Sequence, residues 1–234
     1  MSSLLLLGFL LGMRHALEAD HIAAVATLAT RSGSYRHVMF QGAVWGLGHT
    51  LTLLLACSVV LFLDTVIPAR FAQGLEAVVG AMLILLGADL LRRMLRDRVH
   101  LHTHRHDDGT AHFHAHSHAG EPSAHTLDHQ HAHARRFPAR ALYVGMIHGL
   151  AGSAALILLT LSTVSSPLTG LIYVGLFGVG SICGMALLSL VISVPLRSTR
   201  HFALLHHALQ VTVGLATIAI GGMLVYQNAL STAA

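Results

Sequence analysis

Seven consecutive residues of the first apolar segment, His15-Ala16-Leu17-Glu18-Ala19-Asp20-His21, carry two imidazoles and two carboxylates, and Arg14 stands directly before them. Neutral imidazole and carboxylate together suit a borderline divalent ion such as Ni²⁺, Co²⁺ or Zn²⁺, so the chemistry on offer is reversible coordination. The plain alternative is a satisfied polar network, for instance Arg14 paired with Glu18 or Asp20. Two further histidines lie inside apolar runs: His49, within Gly48-His49-Thr50, and His148, within His148-Gly149-Leu150-Ala151-Gly152-Ser153. Taken singly, each is as readily a hydrogen-bonding group between membrane helices as a ligand. Arg14, Glu18, Thr50, Ser153 and Ser181 read as supporting polar groups.

Helix geometry limits what the first cluster can do. At about 100° and 1.5 Å per residue, His15, Glu18 and His21 share a face, while Asp20 lies about 140° from His15 and the two histidines stand about 9 Å apart along the axis. A straight helix therefore cannot bring His15, Asp20 and His21 to one ion. Either the segment is unwound here, with Gly12 as the weak point, or it offers sequential sites. Asp20 has a further candidate role, fixing the tautomer of a neighbouring histidine.

The elements that must position these groups cross a membrane. The 234 residues are 54% hydrophobic and only 10% charged, where a soluble domain carries about a quarter of its residues as charged side chains. Apolar runs long enough to span, about 20 residues each, fall at roughly 3–30, 38–63, 71–91, 141–163, 169–194 and 204–226. Every basic residue is arginine, which removes P-loop, Schiff-base and lysine-base chemistry. The two cysteines, Cys57 and Cys183, lie in apolar stretches and read as small buried residues rather than as a disulfide or a metal pair. Twelve of the fourteen arginines fall in the first, third and fifth loops. The excess of arginine on one side places those loops in the cytoplasm and both termini outside.

Three sets of matching positions recur in order. Gly12-Met13-Arg14-His15 matches Gly145-Met146-Ile147-His148, Trp45-Gly46-Leu47-Gly48 matches Phe177-Gly178-Val179-Gly180, and Glu76, Gly80 and Gly87 match Gln210, Gly214 and Gly221, at offsets of 133, 132 and 134. Each half holds three spans, an odd number, so the second half is expected upside down relative to the first, an arrangement typical of transporters. The expected fold is all-α: a first three-helix repeat over 1–91, a cytoplasmic loop over 92–140, and a second repeat over 141–234.

That loop is a separate device. It holds His100, His102, His104, His106, His112, His114, His116, His118, His125, His129, His131 and His133, largely alternating with small residues. It lacks the apolar content to fold alone and is expected to be unstructured when empty. A chain so dense in imidazole chelates Ni²⁺, Co²⁺, Zn²⁺ or Cu²⁺ with little selectivity.

Arg14-His15-Ala16-Leu17-Glu18-Ala19-Asp20-His21-Ile22 resembles the H-x4-D-H signature of the nickel/cobalt transporter (NiCoT/NicO) superfamily, and Trp45-Gly46-Leu47-Gly48-His49-Thr50 is similar to its L-G-H-[ST] motif. Through Gly145 to Ala154 the chain is most similar to the short, six-span, UreH-like urease accessory branch. The resemblance implies that His15, Asp20 and His21 select and pass the ion, with His49 contributing from the neighbouring span. It implies a transporter rather than an enzyme, with Ni²⁺ or Co²⁺ as substrate and no prosthetic group. The longer permeases have helices absent here, and the efflux branch has a Pro-Cys-Pro element where this chain has His148-Gly149-Leu150-Ala151-Gly152. That difference favours uptake.

The resulting expectation is a secondary transporter of Ni²⁺, then Co²⁺, in the cytoplasmic membrane. Its partners are the divalent ion and the bilayer, with handover to cytoplasmic nickel chaperones after import, and no nucleic acid. An efflux permease using the same site and a non-transporting membrane metal sensor or chaperone are the standing alternatives. A haem protein with His49 and His148 as axial ligands is a more distant one.

Overall fold

The computed structural model describes residues 2–30, 34–63, 68–96, 100–105, 111–116, 138–151, 166–199 and 202–233. In chain order the helices are α1 (Ser2–His15), α2 (Ala19–Ala29), α3 (Tyr35–Leu63), α4 (Ala69–Arg96), α5 (Ala139–Ala151), α6 (Pro167–Ser198) and α7 (Ala203–Ala233). A hydrocarbon core offers no partners for backbone N–H and C=O groups, so uncharged Leu/Val/Ala/Gly runs satisfy them within a helix. Among the described residues, four helices, α3, α4, α6 and α7, are long and apolar enough to cross a bilayer. Large apolar side chains on their outer faces, such as Phe62, Leu85 and Leu204, are exposed. The chain is a multi-pass membrane protein.

The other two expected spans differ. The run at 3–30 is two short helices, α1 and α2, separated at Ala16–Glu18. The break is not at Gly12, which stays helical; it follows His15, and Glu18 takes extended angles of φ −66° and ψ 148°. Backbone groups stay paired through tight turns, with Leu17 N–H donating to Arg14 C=O at 2.9 Å and Glu18 N–H to His15 C=O at 3.1 Å. The fourth span is described as far as Ala151, and Ser153 lies outside the described residues.

Leucine gains little by leaving lipid for protein, so membrane helices associate where small residues let backbones approach. A Cβ at Gly12 would collide with the Phe177 carbonyl of α6, and Gly8 lies against Tyr173, so α1 and α6 run parallel. Gly145 of α5 meets Trp45 of α3, and Gly149 meets His49, which makes that pair parallel too. Gly80 packs on Gly221 and Gly87 on Gly214, an antiparallel crossing of α4 and α7. Helices α3 and α6 cross antiparallel, with Gly46 on Ile182 and Gly178 on Thr50. The largest buried cluster, including Trp45, Val79, Leu83, Val144 and Met185, sits where α2, α3, α4, α5 and α6 meet.

One other expectation is corrected. Cys57 is buried, but Cys183 is exposed on the outer face of α6. In the described part of the histidine-rich segment, β1 (His100–Arg105) and β2 (Ala111–His116) pair antiparallel, and the other described elements are all helices. The reason is in the alternation itself, because a period of two is the strand period. In this register His100 stands opposite His116, His102 opposite His114, and His104 opposite His112. His106, His118, His125, His129, His131 and His133 lie outside the described residues.

The glycine crossings generate a direct test. Gly145→Val forces a methyl group into the Trp45 backbone and is expected to destabilise the protein by about 1–3 kcal/mol, the usual cost of overpacking. Gly74→Ala, where nothing lies within 4 Å, is expected to leave the thermal unfolding midpoint in detergent unchanged or raised.

Candidate metal centre

The break after His15 brings together side chains that a continuous helix would separate. The rings of His15 and His21 have centroids 4.5 Å apart. His49, from the middle of α3, lies 5.2 Å from His15 and 5.4 Å from His21. His148, from the last turn of α5, lies 4.1 Å from His21 and 6.0 Å from His49. All four are buried, His15 at 3% exposure and the others at 0%.

Two carboxylates hold the rings. A carboxylate only accepts, so His15 Nδ1–H donates to Glu18 Oε1 at 2.7 Å, leaving His15 Nε2 as the lone-pair nitrogen. Asp20 uses both oxygens: Oδ1 accepts from His21 Nδ1 at 3.0 Å and from the His21 backbone N–H at 2.9 Å, and Oδ2 accepts from His148 Nε2 at 3.0 Å. His21 Nε2, His148 Nδ1 and both nitrogens of His49 are buried without a partner, as is His15 Nε2. Each such group costs about 1–3 kcal/mol while unpaired, and a bound cation would relieve those that present a lone pair.

The ligand atoms converge in two overlapping sets, His15–His21–His49 and Asp20–His21–His148, each within 4.8 Å of one another. Nitrogens bound to one ion at about 2.0–2.1 Å would stand roughly 3–4 Å apart. Modest closure of either set suffices. A histidine that donates one ring nitrogen to a carboxylate and points the other at an ion is the usual pattern of metal sites, because the carboxylate fixes the tautomer and raises ligand basicity. His15 with Glu18 and His21 with Asp20 both have it.

All five residues expected in the ion path meet here. Among the described residues neither carboxylate pairs with Arg14, which is exposed. Thr50 Oγ1 donates to Gly46 C=O at 2.8 Å and to Gly178 C=O at 3.2 Å, and Ser181 Oγ donates to Gly12 C=O at 3.3 Å. These hydroxyls tie α3 to α6 and α6 to α1; they do not join the ligand set. The site walls were missed as site residues: Phe177 lies 5.3 Å from His15, and Trp45 lies 5.5 Å from His21 and 5.7 Å from His148. Their signal was present, since Trp45 and Phe177 are matched positions of the internal repeat.

Trp45 is the only tryptophan in the chain, and its place beside the cluster makes it a reporter. Titrating purified protein with Ni²⁺ or Co²⁺, both open-shell ions, is expected to quench its fluorescence, whereas closed-shell Zn²⁺ should not. Substituting His21→Ala, which removes the residue common to both sets, is expected to abolish the quench.

No family model matches the chain, and no solved structure matches it. Among curated proteins it is similar to the urease accessory protein UreH of Bacillus sp. (strain TB-90), with 33% identity over 218 residues, covering 92% of this chain and 88% of that protein. With the motif of its first span and a likeness running along nearly its whole length, the chain belongs to the UreH-like branch of the nickel/cobalt transporter superfamily.

Proposed function

We propose that the chain is a secondary permease that carries Ni²⁺, and next Co²⁺, across the cytoplasmic membrane toward the cytoplasm. The observation that carries the reading is the convergence of four buried imidazoles, each with at least one ring nitrogen that has no hydrogen-bond partner, at a helix break inside an apolar bundle. Ionisable groups at membrane depth cost at least about 2.5 kcal/mol each on insertion scales, so their gathering points to an ion path. A relative described as a urease accessory protein favours nickel over other ions that accept the same ligands.

In the cycle we propose, the ion meets Glu18, whose side chain is 43% exposed, and exchanges water for His15, His21 and His49. His21 belongs to both sets, so it keeps hold while His148 replaces His15 and His49, with Asp20 bridging the two rings. Such stepwise exchange avoids a bare ion. The membrane potential supplies about 2.3 kcal/mol per elementary charge per 100 mV, which favours inward movement of a dication without a nucleotide.

Six spans in two inverted repeats are part of this reading, and the glycine contacts support it. Gly12 on Phe177 is the counterpart of Gly145 on Trp45, Gly180 on Phe9 that of Gly48 on Leu142, and Gly80 on Gly221 that of Gly214 on Gly87. The arginine distribution supports cytoplasmic loops one, three and five. The histidine-rich segment then receives imported ions before handover to a cytoplasmic chaperone.

The test is cellular nickel content, by elemental analysis after exposure to trace Ni²⁺, in a host without its own nickel permeases. Cells with the wild-type chain are expected to accumulate nickel above empty vector, and cells with His21→Ala to match the vector. Depletion below vector reverses the direction and makes the loop a collector for export. No change with either Ni²⁺ or Co²⁺ would leave the sensor reading.

A further inference from the structure

Both triads are closed by an aromatic ring, but the spaces behind the two rings differ. Behind Phe177, next to His15, lies an apolar cluster of Leu53, Cys57 and Val174. A cavity of about 10 Å³ whose walls include Trp45, Val25, Gln41 and Ser189 lies on the other side, room for about one water. Val25 is one helical turn beyond His21 along α2, and Gln41 is one turn before Trp45 along α3. The cavity therefore lies toward the end of the bundle that holds the first loop.

Three observations give it a role. Trp45 bounds the cavity and also lies against the rings of His21 and His148. Its Nε1–H is fully buried with no hydrogen-bond partner, and an indole N–H can only donate. The side chains of Gln41 and Ser189 add polar groups to a wall that is otherwise apolar. Ala29 and Val38 line the cavity and pack on Leu196, and the neighbouring Arg197 guanidinium lies 4.0 Å over the Tyr35 ring.

We infer that the cavity behind Trp45 is the cytoplasmic release station, where a divalent cation leaving His21 and His148 regains its first water, with Trp45 as the partition. This rests on the permease reading and its orientation. An ion held by imidazoles leaves by replacing one ligand at a time, and the first replacement needs a water within reach. Among the described residues, the Trp45 side combines space for a water with an unused donor. Among the same residues Phe177 is backed by apolar side chains, so in this reading capture and release run through chemically different walls.

The experiment uses the full chain with Cys57→Ala and Cys183→Ala, adding Gln41→Cys or Ser189→Cys, in sealed vesicles of each orientation exposed to a charged, membrane-impermeant thiol reagent during Ni²⁺ turnover. Both cysteines are expected to react from the cytoplasmic face only, and the modified protein to lose Ni²⁺ transport while keeping Ni²⁺ quenching of Trp45, which shows that it is folded and still binds. Leu53→Cys, on the Phe177 side, is expected not to react from the cytoplasm. Reaction from the outer face alone, or none in vesicles that still transport, overturns the proposal. Cytoplasmic reaction in a chain that carries no Ni²⁺ overturns the permease reading and leaves the cavity's access to the cytoplasm established.

Discussion

The hydrogen bonds of Asp20 are the interaction on which the rest of the site depends. One carboxylate accepts three of them, two from His21 and one from His148. In a medium without water a carboxylate must have such partners, and here the partners are imidazoles of the buried histidine cluster. Asp20 therefore turns two histidines from separate segments of the chain into one unit. It leaves a lone pair on each, aimed away from the carboxylate.

That bridge can form only because backbones come close. His148 reaches Asp20 because Gly145 and Gly149 allow α5 to lie against Trp45 and His49 of α3. His15 and His21 meet because three residues leave the helix between them, with their N–H groups still paired in tight turns. The hydroxyls of Thr50 and Ser181 hold α6 against α3 and α1 by bonding carbonyls across the crossings. Small residues and local turns thus set the geometry, and the ligands follow from it. Lipid gives apolar side chains no comparable reason to choose one partner over another.

The resulting site is closed on two sides by rings of unequal chemistry, Trp45 and Phe177. The carboxylates also reach different surroundings: Glu18 is partly exposed at the break, while Asp20 is mostly enclosed by its histidines.

Much of this was legible in the residue order. Membrane character, the positions of the apolar runs, the five candidate ligands and the matched glycines are properties of local composition and spacing, and transfer into lipid is close to additive along a helix. Sequence could also state the dilemma of span one, since helix periodicity forbids His15, Asp20 and His21 from sharing an ion in a straight helix. It could not say where the helix breaks, because the extended angles of Glu18 go with its bonds to His15 and with the packing of Ala16 at the break against Gly184 of α6. Nor could it show that Asp20 spends both oxygens on histidines, that Thr50 and Ser181 serve the backbone, or that Trp45 divides the cluster from a water-sized cavity. The sequence by itself determined which groups enter the membrane. The tertiary structure alone decided which nitrogens remain free to meet, because that depends on distances between helices that no single segment contains.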